Sequence, residues 1–202
     1  MMDRFLKSIS YIFHPLLMPV FGVLFYFEVS SRFIPPEIKQ AKLISLIILT
    51  VALPILLYFL LKTLGKVKSI HLKNTNERIL PLVLNCIVIL LVIQRILTPT
   101  QIIELYYFFV GILFSTMVCL ILVIARFKAS IHMMAVSGVF MFFVALSIHF
   151  SININGFLAL IVIIIGAIAT SRLHLKAHTY GELIMGIFIG AIPQLILVRY
   201  WL

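Results

Sequence analysis

The chain has 202 residues, of which 63% are hydrophobic and only 11% charged, and its mean hydropathy is +1.23. Soluble domains carry charge on about 25% of their residues, so this composition excludes a soluble globular protein and predicts an integral membrane protein. The formal net charge is +10, but the basic residues stand in short segments beside apolar runs, which favours anionic lipid headgroups or phosphates as partners over nucleic acid.

Apolar runs recur along the whole chain, and most approach the roughly 20 residues that a helix needs to cross a bilayer. The seven predicted spans are Ile9–Phe27, Leu43–Leu61, Ile79–Leu97, Leu105–Ala125, Met133–Phe150, Phe157–Thr170 and Thr179–Leu202. The runs are continuous and do not alternate, which indicates helices and not the strands of a β-barrel. We therefore predict an all-α, polytopic transmembrane helical bundle of six to seven spans, with residues 1–202 forming one domain.

Local features refine this prediction. The first span contains His14 and Pro15, which predicts a kink or a segment that enters and leaves on one side. Gly186 and Gly190 form a small-xxx-small pair, which predicts close helix packing. No small-residue cleavage site follows the first apolar run, so we expect no cleavable signal peptide. The two cysteines lie inside apolar runs and are interpreted as core residues.

Three polar loops stand out between the spans: Lys62–Arg78, Arg126–His132 and Ser171–Glu182. Two spans separate each loop from the next, and an even number of crossings returns the chain to the same face of the membrane. We therefore expect the three loops to converge on one membrane surface.

The third loop contains the most informative pattern, Ser171-Arg172, five residues, His178, three residues, Glu182. If the last span starts near His178, the histidine and Glu182 share a helix face, and the carboxylate can fix the imidazole tautomer and leave the other nitrogen free to attack. Arg172 can fork onto phosphate oxygens. The other interpretation, ordinary interfacial side chains, suits the remaining basic residues of this loop better than these four.

The first two loops supply weaker signals. In the second, His132 follows Ser130 by two residues; the histidine can protonate a leaving oxygen, the serine can bind a phosphate oxygen, and Lys128 adds a cation. In the first, Lys73 and Arg78 can neutralise a phosphate, although Lys73 can equally be a lipid-headgroup cation. Each pattern is also typical of caps and interfacial residues.

Carboxylates are scarce in these loops, where only Glu77 and Glu182 occur. Magnesium-dependent phosphoryl transfer normally requires more, so we predict a site without metal or other cofactor. The remaining histidines, His14, His71 and His149, have no matching partners in the sequence and are interpreted as structural.

The combination resembles the signature of the type 2 phosphatidic acid phosphatase superfamily of membrane lipid phosphatases, which has three parts: K-x6-R-P, P-S-G-H and S-R-x5-H-x3-D. Ser171 to Glu182 matches the third part with Glu in place of Asp. Ala129-Ser130-Ile131-His132 keeps the serine and histidine of the second part without its proline and glycine. Of the first part only Arg78 is aligned, and the nearest lysine is Lys73. The resemblance covers about residues 62–190.

The resemblance implies a membrane-surface site in which His178 attacks phosphorus and forms a phosphohistidine, oriented by Glu182. His132 would protonate the leaving oxygen, and water would then release phosphate without a metal. The predicted phosphate-binding residues are Arg172, Arg78, Lys73, Ser130, Ser171 and Lys128.

The expected substrate is an amphiphilic phosphate such as phosphatidic acid, phosphatidylglycerol phosphate, a polyprenyl diphosphate or a lipid A phosphate. Eleven of the sixteen Lys and Arg residues lie on the site face, which by the positive-inside rule favours the cytoplasm. Five of the eleven belong to the motifs, however, and bacterial members of the family act at the outer face of the inner membrane, which we therefore expect here.

Two other functions fit the sequence less well. One is a catalytically inactive relative that binds anionic lipid or scaffolds a membrane complex, which the altered first and second motifs favour. The other is a small anion transporter, against which stands the near absence of charge within the spans.

Overall fold

A computed structural model describes residues 2–67 and 75–202, and within them the protein is entirely helical, with no strand. The helices are α1 Met2–Ile12, α2 Met18–Val29, α3 Pro36–Ile47, α4 Leu53–Thr63, α5 Asn76–Arg95, α6 Ile103–Ile124, α7 Ile131–His149, α8 Asn155–His174 and α9 Tyr180–Val198. In this described part, seven helical stretches are long and apolar enough to span a membrane. They coincide with the seven predicted spans, so the all-α polytopic bundle is confirmed and the protein is an integral membrane protein.

Two of the spans are interrupted near proline. The first is broken between α1 and α2, where His14 is extended (φ −68°, ψ 138°) because a residue before proline disfavours the helical conformation. A short 3₁₀ turn, Pro15–Leu17, follows before α2. The second span passes from α3 to α4 through a π-helical turn, Ile48–Ala52, next to Pro54, whose missing N–H interrupts the regular ladder. The predicted kink in the first span is therefore present.

The central helix of the bundle is α7, which packs most extensively against α9 and also contacts α2, α6 and α8. The α7–α9 contact is close because α9 carries two glycines on the facing side. A Cβ added at Gly186 would lie 2.6 Å from the carbonyl oxygen of Ser130, and one at Gly190 would overlap the carbonyl oxygen of Met134. The predicted close packing at this glycine pair is confirmed.

Buried polar side chains bridge the helices, as is common where no water is present to satisfy them. The Ser115 hydroxyl on α6 donates to the Ile189 carbonyl at 2.8 Å, and Gln194 Nε2 on α9 donates to the Phe108 carbonyl at 2.9 Å.

The cysteines within the described residues are free thiols, Cys119 buried and Cys86 half-buried, as predicted. The first turns of α5, α7 and α9 and the last turn of α8 gather at one end of the bundle.

Candidate functional site

The start of α9 holds a histidine–carboxylate pair through a capping box. Thr179 is the N-cap, its Oγ1 accepts from the Glu182 backbone N–H at 3.4 Å, and Glu182 Oε2 accepts from the Thr179 backbone N–H at 3.0 Å. The same Oε2 lies 2.9 Å from His178 Nδ1. Because α9 begins only at Tyr180, His178 precedes the helix and does not share a helix face with Glu182. The expected shared face is therefore wrong, and the carboxylate reaches the imidazole by folding back over the cap.

His178 is a neutral imidazole with one nitrogen available. The pKa of His178 is lowered from its ordinary value of 6.5 to about 4, chiefly by burial and also by the nearby positive charges of Lys128 and Arg78, while the Glu182 hydrogen bond opposes the shift. A carboxylate only accepts, so Nδ1 carries the proton and the lone pair remains on Nε2. At neutral pH this arrangement is that of an oriented nucleophile or base.

The second loop packs directly onto the third. The Lys128 ammonium donates to the Ala177 carbonyl at 2.9 Å, one residue before His178, and the Ser130 backbone N–H donates to the Glu182 carbonyl at 3.0 Å. Ser130 is fully buried and is the N-cap of α7, its hydroxyl accepting from the Met133 N–H at 3.5 Å. These contacts place a lysine beside the histidine–carboxylate pair.

Arg78 brings the first loop to the same place. Its guanidinium is buried, donates to the Ala129 carbonyl at 3.2 Å, and lies within electrostatic range of Glu182 and Arg172. The three loops therefore meet at one end of the bundle, as the even number of crossings predicted. Lys73 lies outside the described residues, so its role stays a prediction.

The broken first span also reaches this end of the bundle, which the sequence interpretation missed. Arg172 Nη1 donates to the Ser10 hydroxyl at 3.4 Å, the two serine hydroxyls of Ser10 and Ser171 are 2.8 Å apart, and Ser171 Oγ donates to the Leu6 carbonyl at 2.7 Å. His132 Nε2 lies 3.2 Å from the Ser10 carbonyl oxygen and must donate to it. Ser171 is fully buried here, and its hydroxyl holds α1 rather than facing open space.

His14 was interpreted as structural, but it lies beside the candidate site. Its ring is 5.6 Å from the ring of His132 in an edge-to-face arrangement, and it is within electrostatic range of Arg172. His132 is in turn within electrostatic range of Arg172 and His178. The only signal in the sequence was a histidine and a serine inside an otherwise apolar run.

Two further features point to an anion. Among the described residues, the buried Nε of Arg172 has no hydrogen-bond partner, a costly state that an acceptor would relieve. An open cavity of about 390 Å³ adjoins His178 and is lined in part by Lys128, Lys176 and Glu182. No group of three or more His, Cys, Asp or Glu side chains in the described residues is arranged to hold a metal ion.

A second polar cluster lies at the opposite end of the bundle. Glu104, in the first turn of α6, is fully buried; its Oε2 accepts from the Tyr26 hydroxyl at 3.1 Å, and its Oε1 lies 2.9 Å from Arg32 Nη2 and 3.2 Å from His149 Nε2. His149, which the sequence analysis interpreted as structural, thus contacts a buried carboxylate away from the candidate site. The sequence suggested almost no charge within the spans, but the end of α6 buries the charged side chain of Glu104.

No family model matches the chain, and neither a curated protein nor a solved structure shows significant similarity to it.

Proposed function

We propose that the protein is a metal-independent integral-membrane phosphatase that hydrolyses a lipid phosphate or polyprenyl diphosphate through a phosphohistidine on His178. The observation that carries the proposal is the buried, neutral imidazole of His178, held by the Glu182 carboxylate at a place where Lys128, Arg78 and Arg172 gather. A neutral imidazole supplies the nucleophile. The cations favour an anionic substrate over an amine or an uncharged carbonyl compound.

In the proposed first step, the lone pair of His178 Nε2 attacks phosphorus and the bond from phosphorus to the lipid oxygen breaks. Glu182 accepts the Nδ1 hydrogen bond and stabilises the positive charge that develops on the imidazole. Protonated His132 gives its proton to the leaving oxygen; because Nε2 is held by the Ser10 carbonyl, Nδ1 is the nitrogen that exchanges this proton.

In the second step, His132 accepts a proton from water, the water oxygen attacks phosphorus, and the bond between phosphorus and His178 breaks to release phosphate. Arg172, Arg78 and Lys128 stabilise the negative charge on the phosphoryl oxygens in both steps. The Ser130 hydroxyl can still donate to a phosphoryl oxygen, whereas Ser171 acts through its contact with α1.

The expected substrates are amphiphilic phosphates, because the site lies at the end of a transmembrane bundle. Exposed apolar side chains flank it, Tyr11 and Ile12 on α1 and Tyr180 on α9, and these suit the first part of a lipid tail. We propose that the protein lies in a bacterial inner membrane with the site on the outer face, because its motifs resemble those of the type 2 phosphatidic acid phosphatase superfamily.

The test is release of inorganic phosphate from a panel of lipid phosphates and diphosphates by purified protein in detergent with excess chelator. Wild-type protein should release phosphate, and His178→Ala should lower the rate by at least about 10³-fold while the protein stays folded. The matched control is His174→Ala, an exposed histidine on the last turn of α8, which should retain wild-type activity. Undiminished release by His178→Ala would refute the proposed nucleophile.

A second candidate function is an inactive relative that binds anionic lipid. It is favoured by one observation: in this structure Ser10 already occupies His132 Nε2 and one Arg172 nitrogen. It predicts that vesicles containing phosphatidic acid bind the protein in an Arg172-dependent manner without any phosphate release. Turnover that depends on both His132 and His178 would exclude it.

A further inference from the structure

His14 is held in a defined tautomer by the break in the first span. It is the N-cap of the Pro15–Leu17 turn, and its Nδ1 accepts the backbone N–H of Leu16 at 3.3 Å. A neutral imidazole that accepts at Nδ1 carries its proton on Nε2. No acceptor for that Nε2–H is found among the described residues, and the side chain is half-buried.

The surroundings of His14 are those of the candidate phosphate site. Its ring meets the ring of His132 edge to face, and Arg172, whose buried Nε–H lacks an acceptor in the described part of the chain, lies within electrostatic range. Ser10, one helical turn earlier, is hydrogen-bonded to both His132 and Arg172. Two N–H donors without acceptors therefore lie on neighbouring elements, next to a residue that protonates the leaving oxygen in the proposed reaction.

We propose that His14 is a third histidine of the phosphate site, and that its Nε2–H donates a hydrogen bond to an oxygen of the phosphoryl group that Arg172 binds. An anion with several oxygens is the ligand that satisfies donors arriving from different helices at once. The inference rests on the proposed function for the identity of that anion. This role would also account for the break before Pro15, because in a continuous helix His14 would not have the extended backbone that it has here.

The competing role for His14 is that of a cap alone, and one substitution separates the two roles. His14→Asn keeps a side-chain acceptor for the Leu16 N–H, since Asn is a preferred N-cap residue, but is too short to place a donor where Nε2 stands. His14→Gln does the reverse: its amide N–H reaches about as far as Nε2, while its oxygen is poorly placed for the cap.

The experiment titrates inorganic phosphate into full-length protein in detergent with ¹⁵N-labelled histidine. The His14 resonances are assigned as those absent from His14→Asn. We expect phosphate to shift the His14 Nε2 resonance with saturation, and His14→Asn to weaken phosphate binding by roughly 10- to 100-fold, the loss expected for a hydrogen bond to a charged group. Its melting temperature should stay close to wild type, and His14→Gln should recover part of the affinity. His174→Asn, on the exposed histidine of α8, is the control and should bind phosphate like wild type.

The outcomes separate this inference from the proposed function. Hydrolysis with wild-type kcat/KM and unchanged phosphate affinity in His14→Asn would overturn the role of His14 and leave the phosphatase standing. Phosphate binding that requires His14, in a protein that hydrolyses no lipid phosphate, would support the site and overturn the phosphatase. A wild-type His14 resonance that phosphate does not move would overturn the inference outright.

Discussion

Gly190 lies at a close approach of α9 to α7, and replacing it with alanine tests that packing. The added Cβ would overlap the Met134 carbonyl oxygen and the Ser137 hydroxyl, both on α7. A backbone carbonyl inside a helix cannot rotate away as a side chain can, so the two helices must separate. Overpacking of this kind costs about 1–3 kcal/mol. Separation also weakens the hydrogen bond from Ser137 Oγ to the Ile187 carbonyl, 3.0 Å long, which contributes about 1 kcal/mol.

The matched control is Gly166→Ala on α8, where an added Cβ has nothing within 4 Å and the residue is exposed. Alanine is the better helix former by up to about 1 kcal/mol, so the control should be neutral or slightly stabilised. Gly190→Ala gains the same propensity and should still lose about 1–3 kcal/mol net, which places it about 2–4 kcal/mol below the control.

Both variants are compared with wild type by reversible unfolding in mixed detergent micelles, followed by circular dichroism. Equal unfolding free energies for Gly190→Ala and Gly166→Ala would refute the close α7–α9 contact, and with it the arrangement that carries Ser130 to the site.

Further predictions follow from three titratable groups. Because the pKa of His178 is lowered to about 4, the acid limb of the kcat/KM profile, which reports protonation of the nucleophile, should lie near pH 4; an acid limb near pH 6.5 would contradict a buried, neutral imidazole. Between about pH 6.5 and pH 4, His178 is protonated in the unfolded state but not in the folded state. The free energy of unfolding should therefore decline as pH falls through this range. Glu182→Gln can still close the capping box and should unfold like wild type, while kcat drops by about 10²-fold or more because the imidazole loses its carboxylate; a parallel loss of stability and activity would show that Glu182 is only a cap. Glu104→Ala leaves Arg32 and His149 without their partner and should destabilise the protein by roughly 3 kcal/mol, measured by unfolding in micelles, with unchanged turnover per folded molecule.

Hydropathy was sufficient to predict every span, because a bilayer of fixed thickness demands long apolar helices whatever their packing. The apolar run Phe157–Thr170 is short for a crossing, and α8 reaches sufficient length by continuing through Ser171 and Arg172 to His174. Spacing also brought His178 and Glu182 together, since the two are close in sequence and any local turn keeps them near.

The contacts that the sequence did not predict join residues far apart along the chain. Ser10 and Ser171 are separated by 161 positions, and Glu104 and His149 meet across the ends of α6 and α7. Such contacts depend on how each helix is rotated and tilted against its neighbours. That rotation is set by side-chain packing and by glycines such as Gly190, and periodicity within one apolar run does not encode it.

The glutamate at position 182 follows from the geometry of the cap. A capping box requires Glu or Gln at the third helical position, and Glu182 fills it while keeping one carboxylate oxygen between the Thr179 N–H and His178 Nδ1. The nucleophile's orientation is thus fixed by the helix start itself. His132 is held in the corresponding way, by a backbone carbonyl on the broken first span. Each imidazole of the proposed reaction has one nitrogen anchored and one available, and the second anchor comes from α1, a segment that none of the three motifs includes.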